Sequence, residues 1–264
     1  MFITATCDFS RFDLPTRTAG EWLVVNGKGG AIASLTTVRL VYSSGNAALN
    51  DAAFDYMFDE YEGRYPRLGE IIRLTKNASV NQGSNTRKFT LLGDPALTLN
   101  YPRYNVVTTA VNNNPVISAD TIKALEEVTI RGEVRDDNGN KMTSFTGTVY
   151  PMVYDKISTV TTLKNDPGSN LVNFLQYKNV LFKGKASVTN GDFSFTFLVP
   201  KDIDYQYGKG RISYYADNSS YVDAHGYTNE IIIGGSADSF RVDNAGPEMN
   251  IYMNDEKFVY GGTT

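Results

Sequence analysis

The sequence predicts an α/β domain followed by an all-β domain, and three observations carry that reading. Helical and strand-like patterns alternate up to about residue 100. Beyond residue 102 helical periodicity nearly vanishes, and 13 of the 17 tyrosines lie after residue 100, where they suit half-buried strands. At 264 residues, with 41% hydrophobic and 20% charged side chains, the chain has the composition of an ordinary globular protein with room for two cores. A net charge of -4 offers no basic field for nucleic acid, so none is expected as a partner. No stretch approaches the roughly 18 apolar residues of a membrane helix.

The first element is a strand. Phe2-Ile3-Thr4-Ala5-Thr6 is β-branched, small and uncharged, the pattern of a central strand buried on both faces, and it ends at Cys7. A polar loop follows with Asp8, Ser10, Arg11, Asp13 and Pro15. Thr18-Ala19-Gly20-Glu21 then matches a capping box that opens a helix through Trp22, Leu23 and Val24, which Gly27, Gly29 and Gly30 stop. The next run, Ala31 to Thr37, is again a strand, so residues 2 to 37 read as a βαβ unit with a right-handed crossover. Phe54, Met57, Phe58 and Tyr61 fall at helical spacing, and Leu68, Ile71 and Ile72 begin a second apolar helix face. Asn77 to Asn85 reads as a loop. Phe89 to Leu92 and Ala96 to Leu99, separated by Gly93-Asp94-Pro95, read as a strand pair or one bent strand.

In the second half Val128, Ile130 and Val134 alternate with polar residues, Asp137-Asn138-Gly139 supplies a hairpin turn, and Thr148-Val149-Tyr150 continues the pattern. Asn190-Gly191 marks another tight turn between strands. The whole reads as an immunoglobulin-like antiparallel β-sandwich over residues 102–246. A linker begins near Asp243-Asn244-Ala245-Gly246-Pro247, and residues 247–264 read as the opening strand of a further, incomplete β domain. A start directly on a strand and an end inside a new domain are what a piece of a longer polypeptide would show.

Cys7 is the only cysteine. A lone thiol is either a small packed hydrophobe or a nucleophile, and the carboxyl end of a strand in an open parallel sheet is where chemistry collects. A catalytic cysteine also needs an imidazole or a favourable backbone field to form thiolate, and amide donors aimed at the tetrahedral oxyanion. Asp8, Ser10 and Arg11 stand beside it as candidates for substrate contact or loop support, Arg11 through bidentate capture of an anion. Asp136-Asp137-Asn138-Gly139-Asn140 lacks the glutamate that closes an EF-hand and reads as a turn. There is no HExxH, no CxxC pair and no phosphate-cradling loop, so no metal and no cofactor are expected.

Ile3-Thr4-Ala5-Thr6-Cys7-Asp8-Phe9-Ser10-Arg11-Phe12-Asp13, Gly30-Ala31-Ile32-Ala33, Arg39-Leu40-Val41-Tyr42, Leu92-Gly93-Asp94-Pro95-Ala96 and Gly147-Thr148-Val149-Tyr150-Pro151 resemble the type IX secretion sortases of Bacteroidetes, which belong to the gingipain family of cysteine peptidases. The segment around Cys7 is the specific part. The resemblance implies that residues 1–101 are the C-terminal part of a caspase-like domain, with Cys7 as nucleophile. It also implies a surface enzyme of the Gram-negative outer membrane that removes C-terminal signal domains from secreted cargo. That chemistry is acyl transfer through a thioester, which can join the new carboxyl end to anionic lipopolysaccharide, and an outer-membrane shuttle protein is an implied partner. In the family the histidine comes from a Gly-His-Gly-like segment upstream of the cysteine strand. The only histidine here is His225, which reads as a solvated loop residue beside a turn glycine, so residues 1–264 alone are expected to cleave nothing. Two other classes compete: a non-catalytic scaffold whose sandwich binds partners, and an adhesin-like envelope module.

Overall fold

A computed structural model describes residues 1–79, 83–116 and 121–238. The chain divides into two compact units, Met1–Tyr101 and Pro102–Thr264. The expected linker near 243 and the further β domain at 247–264 lie outside the described residues.

The first unit contains β1 (Phe2–Ile3), α1 (Ala19–Val25), β2 (Ala33–Thr37), α2 (Ser43–Phe58), α3 (Leu68–Ala78), α4 (Asn85–Lys88) and β3 (Phe89–Gly93). Its sheet has the order β1-β2-β3, with β1 parallel and β3 antiparallel to β2. β2 is central and wholly buried, because it is uncharged and covered on both faces. Ala33 and Leu35 pack with Leu49, Ala53 and Met57 of α2 and with Leu68 and Ile71 of α3. From the opposite face Ser10 Oγ donates to Thr36 Oγ1 at 3.3 Å. α1 opens as the capping box predicts, with Glu21 Oε2 accepting both the amide (2.9 Å) and the hydroxyl (2.8 Å) of Thr18.

Four expectations for this unit change. β1 is an outer strand with one partner, and Phe2 is 38% exposed, so the central strand is β2. Ladder pairing also stops at Ile3, although Thr4 N still donates to Leu35 O at 3.1 Å. The buried face of α2 is Gly45, Asn46, Leu49, Ala53 and Met57, while Phe54 and Phe58 stack on each other in solvent; of the expected helical stripe only Met57 is buried, because the face turned to β2 runs through Leu49 and Ala53 instead. Ala96 to Leu99 forms no strand. Gly93, with φ 134°, has no room for a Cβ against Ala33, and the chain turns there, leaving only a bridge between Thr98 and Arg67.

The second unit is sheet-rich. It comprises β4 (Tyr104–Val111), β5 (Asn114–Pro115), β6 (Ile122–Ala124), β7 (Glu127–Arg135), β8 (Gly147–Tyr154), β9 (Ser158–Thr161), β10 (Asn173–Gln176), β11 (Val180–Lys183), β12 (Ala186–Thr189), β13 (Asp192–Leu198), β14 (Gly208–Lys209), β15 (Arg211–Asp217), β16 (Asp223–Thr228) and β17 (Ile232–Ser236). Hydrogen bonding runs β8-β12-β13-β7-β4-β16-β15 and returns to β8, so the path closes on itself around one apolar core. β11 and β12 share one edge of β8, and β15 takes the other.

The expected alternation is visible in β7, where Val128, Ile130 and Val134 are buried, and in β13, where Phe193, Phe195 and Phe197 are. Asn190 and Gly191, at φ 52° and 81°, make the two-residue turn between β12 and β13. The sheet is not wholly antiparallel as expected, since β16 runs parallel to β4 and β17 parallel to β6. Nor does Asp137-Asn138-Gly139 join two ladder strands. Asp136 Oδ1 accepts from the amides of Asn138 and Asn140, the chain closes through one Arg135–Lys141 bridge, and β7 pairs instead with β4 and β13.

Candidate functional site

The carboxyl ends of the two parallel strands β1 and β2 bring together two loops, residues 4–18 and 38–42. Cys7 is exposed in the first loop, and its Sγ donates to Val41 O in the second at 3.4 Å. Thr37 Oγ1 donates to Thr6 O, and Ser10 N donates to Thr37 O at 2.9 Å. Asn46, buried in the first turn of α2, donates from Nδ2 to Ala5 O at 3.1 Å. The residues on either side of the thiol are thus fixed while the sulfur stays open to solvent.

The second loop is held from below. Asn85, also buried, exchanges hydrogen bonds with the backbone of Tyr42, accepting from its N at 3.2 Å and donating to its O at 2.8 Å. Lys88 Nζ donates to Leu40 O at 2.8 Å. α2 begins right after this loop with no side-chain cap on its first turn among the described residues, and this is the positive end of a 16-residue helix. Val41, which receives the thiol proton, lies just before that end. Nucleophilic attack from this position requires a base and a rotation of the side chain away from Val41 O.

Asp8 follows the thiol at φ 52°, a left-handed conformation that non-glycine residues seldom adopt, and its buried Oδ1 has no partner among the described residues. Ser10 is fully buried, with its Oγ donating to Thr36 Oγ1, so its hydroxyl is turned away from solvent. Arg11 Nε lies 3.9 Å from Asp13 Oδ1. Asp13 is held by Arg39 through two hydrogen bonds of 3.1 and 2.8 Å, and that pairing lowers its carboxyl pKa. His225 sits elsewhere, at an exposed position of β16 in the second unit, paired in register with Tyr215 and Asn105; it is a strand residue and not the loop residue expected.

Arg39, Asn46, Asn85 and Lys88 build this corner without any local signal in the sequence. Their partners lie 26 to 48 residues away, beyond the reach of any helix or turn spacing. Among the described residues no group of three or more His, Cys, Asp or Glu could hold a metal ion.

An exposed thiol at the carboxyl end of a parallel strand, beside the start of a helix, is the arrangement that cysteine nucleophiles of α/β enzymes use. Residues 1–100, the α/β unit, match the family model of Peptidase family C25, a family of cysteine peptidases. Dimeric latent PorU from Porphyromonas gingivalis is similar at 32% identity over 69% of this chain and 18% of that chain, with a TM-score of 0.47. The complex of Porphyromonas gingivalis RgpB pro- and mature domains is similar at 12% identity, covering 87% of this chain and 45% of that chain, with a TM-score of 0.35. The chain thus spans less than a fifth of the PorU chain that it matches. No curated protein matches it by sequence.

Proposed function

We propose that the chain is the nucleophile-bearing part of a cysteine endopeptidase with sortase function, which releases C-terminal signal domains from type IX cargo through a thioester on Cys7. The observation that carries the reading is the placement of Cys7: exposed, in the loop that leaves the carboxyl end of a parallel strand, in a unit that matches the model of Peptidase family C25. The packing of α2 and α3 on β2 supports a caspase-like arrangement, and the apolar core cluster of the second unit supports an immunoglobulin-like domain behind it.

In this reading the Cys7 thiolate adds to the scissile carbonyl of the cargo, the amides around the start of α2 stabilise the oxyanion, and the signal domain leaves as an amine. Water or an amine on an anionic lipopolysaccharide then takes the acyl group and restores the thiol. The base is assigned to a histidine outside residues 1–264. The setting is the outer surface of a Gram-negative cell, where a shuttle protein is the partner.

The test compares residues 1–264 with the longest polypeptide in which they occur, using a cargo protein that ends in its signal domain. Residues 1–264 alone are expected to leave the cargo intact, and the longer polypeptide to cleave it only with Cys7 present. Cleavage by the longer protein that survives Cys7→Ala would sink the nucleophile. Cleavage by residues 1–264 that is lost in Cys7→Ala would keep the nucleophile and overturn the missing base.

A further inference from the structure

The outward face of the second unit carries a row of side chains in direct register across four strands: Tyr150 of β8, Tyr215 of β15, His225 of β16 and Asn105 of β4. Tyr150 and Tyr215 stack at 6.1 Å, and both are more than two-fifths exposed. One step along the strands, Ser213 pairs with Tyr227, which is 62% exposed. Large aromatic rings on a sheet face that no described residue covers are unusual, and several of them together mark a contact surface.

Arg211 is the charged centre of this face. Its guanidinium lies 4.1 Å from the ring of Tyr227 and 5.7 Å from the ring of Tyr177, so it is held between two tyrosines. Nε donates to Ser213 Oγ at 3.1 Å, which fixes the plane of the fork. Among the described residues no carboxylate pairs with Arg211, and the nearby acid Glu230 is already taken by Lys209 at 3.1 Å. Asp217 and Asp223 lie at the other end of the platform, beyond Tyr215. A cavity of about 470 Å³ opens here, lined by Arg211, Ser213, Tyr227, His225 and Asn105. That is the size of a site for a small ligand.

We propose that this cavity is a carboxylate-binding site, in which the terminal nitrogens of Arg211 take the carboxylate and the exposed ring of Tyr227, with Val107 beside it, takes the apolar face of the group that bears it. A guanidinium that is stacked and held at Nε has already lost most of its rotamer freedom, so its two free ends form a fork preorganised for a planar anion. Asn105 and His225 supply further hydrogen bonds at the rim. The carboxylate belongs to an acidic sugar or to the free end of a peptide, since both combine the charge with a ring or alkyl face.

Two matched pairs of probes separate these sources by NMR titration of the ¹⁵N-labelled chain: methyl glucuronide against methyl glucoside, and an acetylated alanine tripeptide acid against its amide. The charged member of at least one pair is expected to shift the amides of Arg211, Ser213, His225 and Tyr227 saturably, and the responding pair names the source. Arg211→Gln should weaken that binding by about tenfold or more, with Arg211→Lys in between because it keeps the charge and loses the fork. The unchanged remainder of the spectrum reports that each variant is folded. Absence of shifts with both acids, equal binding of an uncharged partner, or undiminished affinity in Arg211→Gln would each overturn the site.

Discussion

Gly20→Ala tests whether α1 buttresses the Cys7 loop. A Cβ at position 20 would stand 1.6 Å from Ser10 Oγ, 2.9 Å from Ser10 Cβ and 3.2 Å from Phe9 Cδ1. Ser10 can swing its hydroxyl away by giving up Thr36, but its Cβ cannot move without the backbone. That backbone is held by Ser10 N to Thr37 O, and Phe9 O accepts from Gly20 N itself. Overpacking of this kind costs about 1–3 kcal/mol, toward the upper end where backbone must shift. Alanine returns up to about 1 kcal/mol of helix preference, leaving a net loss of about 2 kcal/mol. The single tryptophan, Trp22, lies in α1, so its fluorescence reports urea unfolding of the first unit alone. The midpoint should fall by about 1 M at the slope expected for a unit of this size. Ser10→Gly removes the atoms in conflict, so adding Gly20→Ala in that background should cost little, a coupling of about 2 kcal/mol between the two sites. A Gly20→Ala midpoint within about 0.3 M of the parent, or additive effects in the double variant, would refute the described packing.

Two further outcomes follow from the charged contacts. Asp155, buried at the end of β8, accepts from Lys156 N (2.8 Å), Lys156 Nζ (2.7 Å) and Asp204 N (3.1 Å); burial raises its carboxyl pKa, and these donors outweigh it and bring it below the ordinary value. Asp155→Ala removes the counter-charge of a mostly buried ammonium and leaves it only the carbonyls of Asp204 and Ile233, so it should destabilise the second unit by about 3 kcal/mol in urea unfolding followed by far-ultraviolet circular dichroism, and a loss under about 1 kcal/mol would contradict that burial. Glu70 is held by Arg64 at 2.6 and 2.7 Å and by the amide of Arg67, which lowers its carboxyl to about 2 from 4.5. A depressed native value means that this contribution is complete above pH 4.5 and is lost as pH falls through about 2, so Glu70→Gln should flatten the acid side of the stability profile of the first unit and leave its neutral side little changed in shape.

The α/β half and the all-β half are both legible in the sequence, because the periods of 3.6 and 2 are local properties that burial then enforces. β2, α1 with its Thr18–Glu21 cap, β7 and the Asn190-Gly191 turn stand where local pattern puts them. Elements that depend on partners far along the chain do not. The buried face of α2 is set by the shape of the seat on β2, and the outer place of β1 by which strands pair. The same holds for the closing of the second sheet through a parallel β4–β16 contact, which no hairpin rule anticipates.

Cys7 and its neighbours Asp8, Ser10 and Arg11 could be picked out from residue type and position alone, since a thiol after an uncharged strand is a one-dimensional signal. The tertiary structure decided what surrounds each of them. It buried Ser10 and left Asp8 with an oxygen that has no partner among the described residues. It brought Val41, Asn46 and Arg39 to the loop from another strand end, and it placed His225 on a strand of the second unit. Sequence fixes which groups are available and which local geometry they favour. Contacts between residues 26 to 48 positions apart form only once burial of β2 has brought the strand ends together, so the surroundings of the thiol belong to the folded chain.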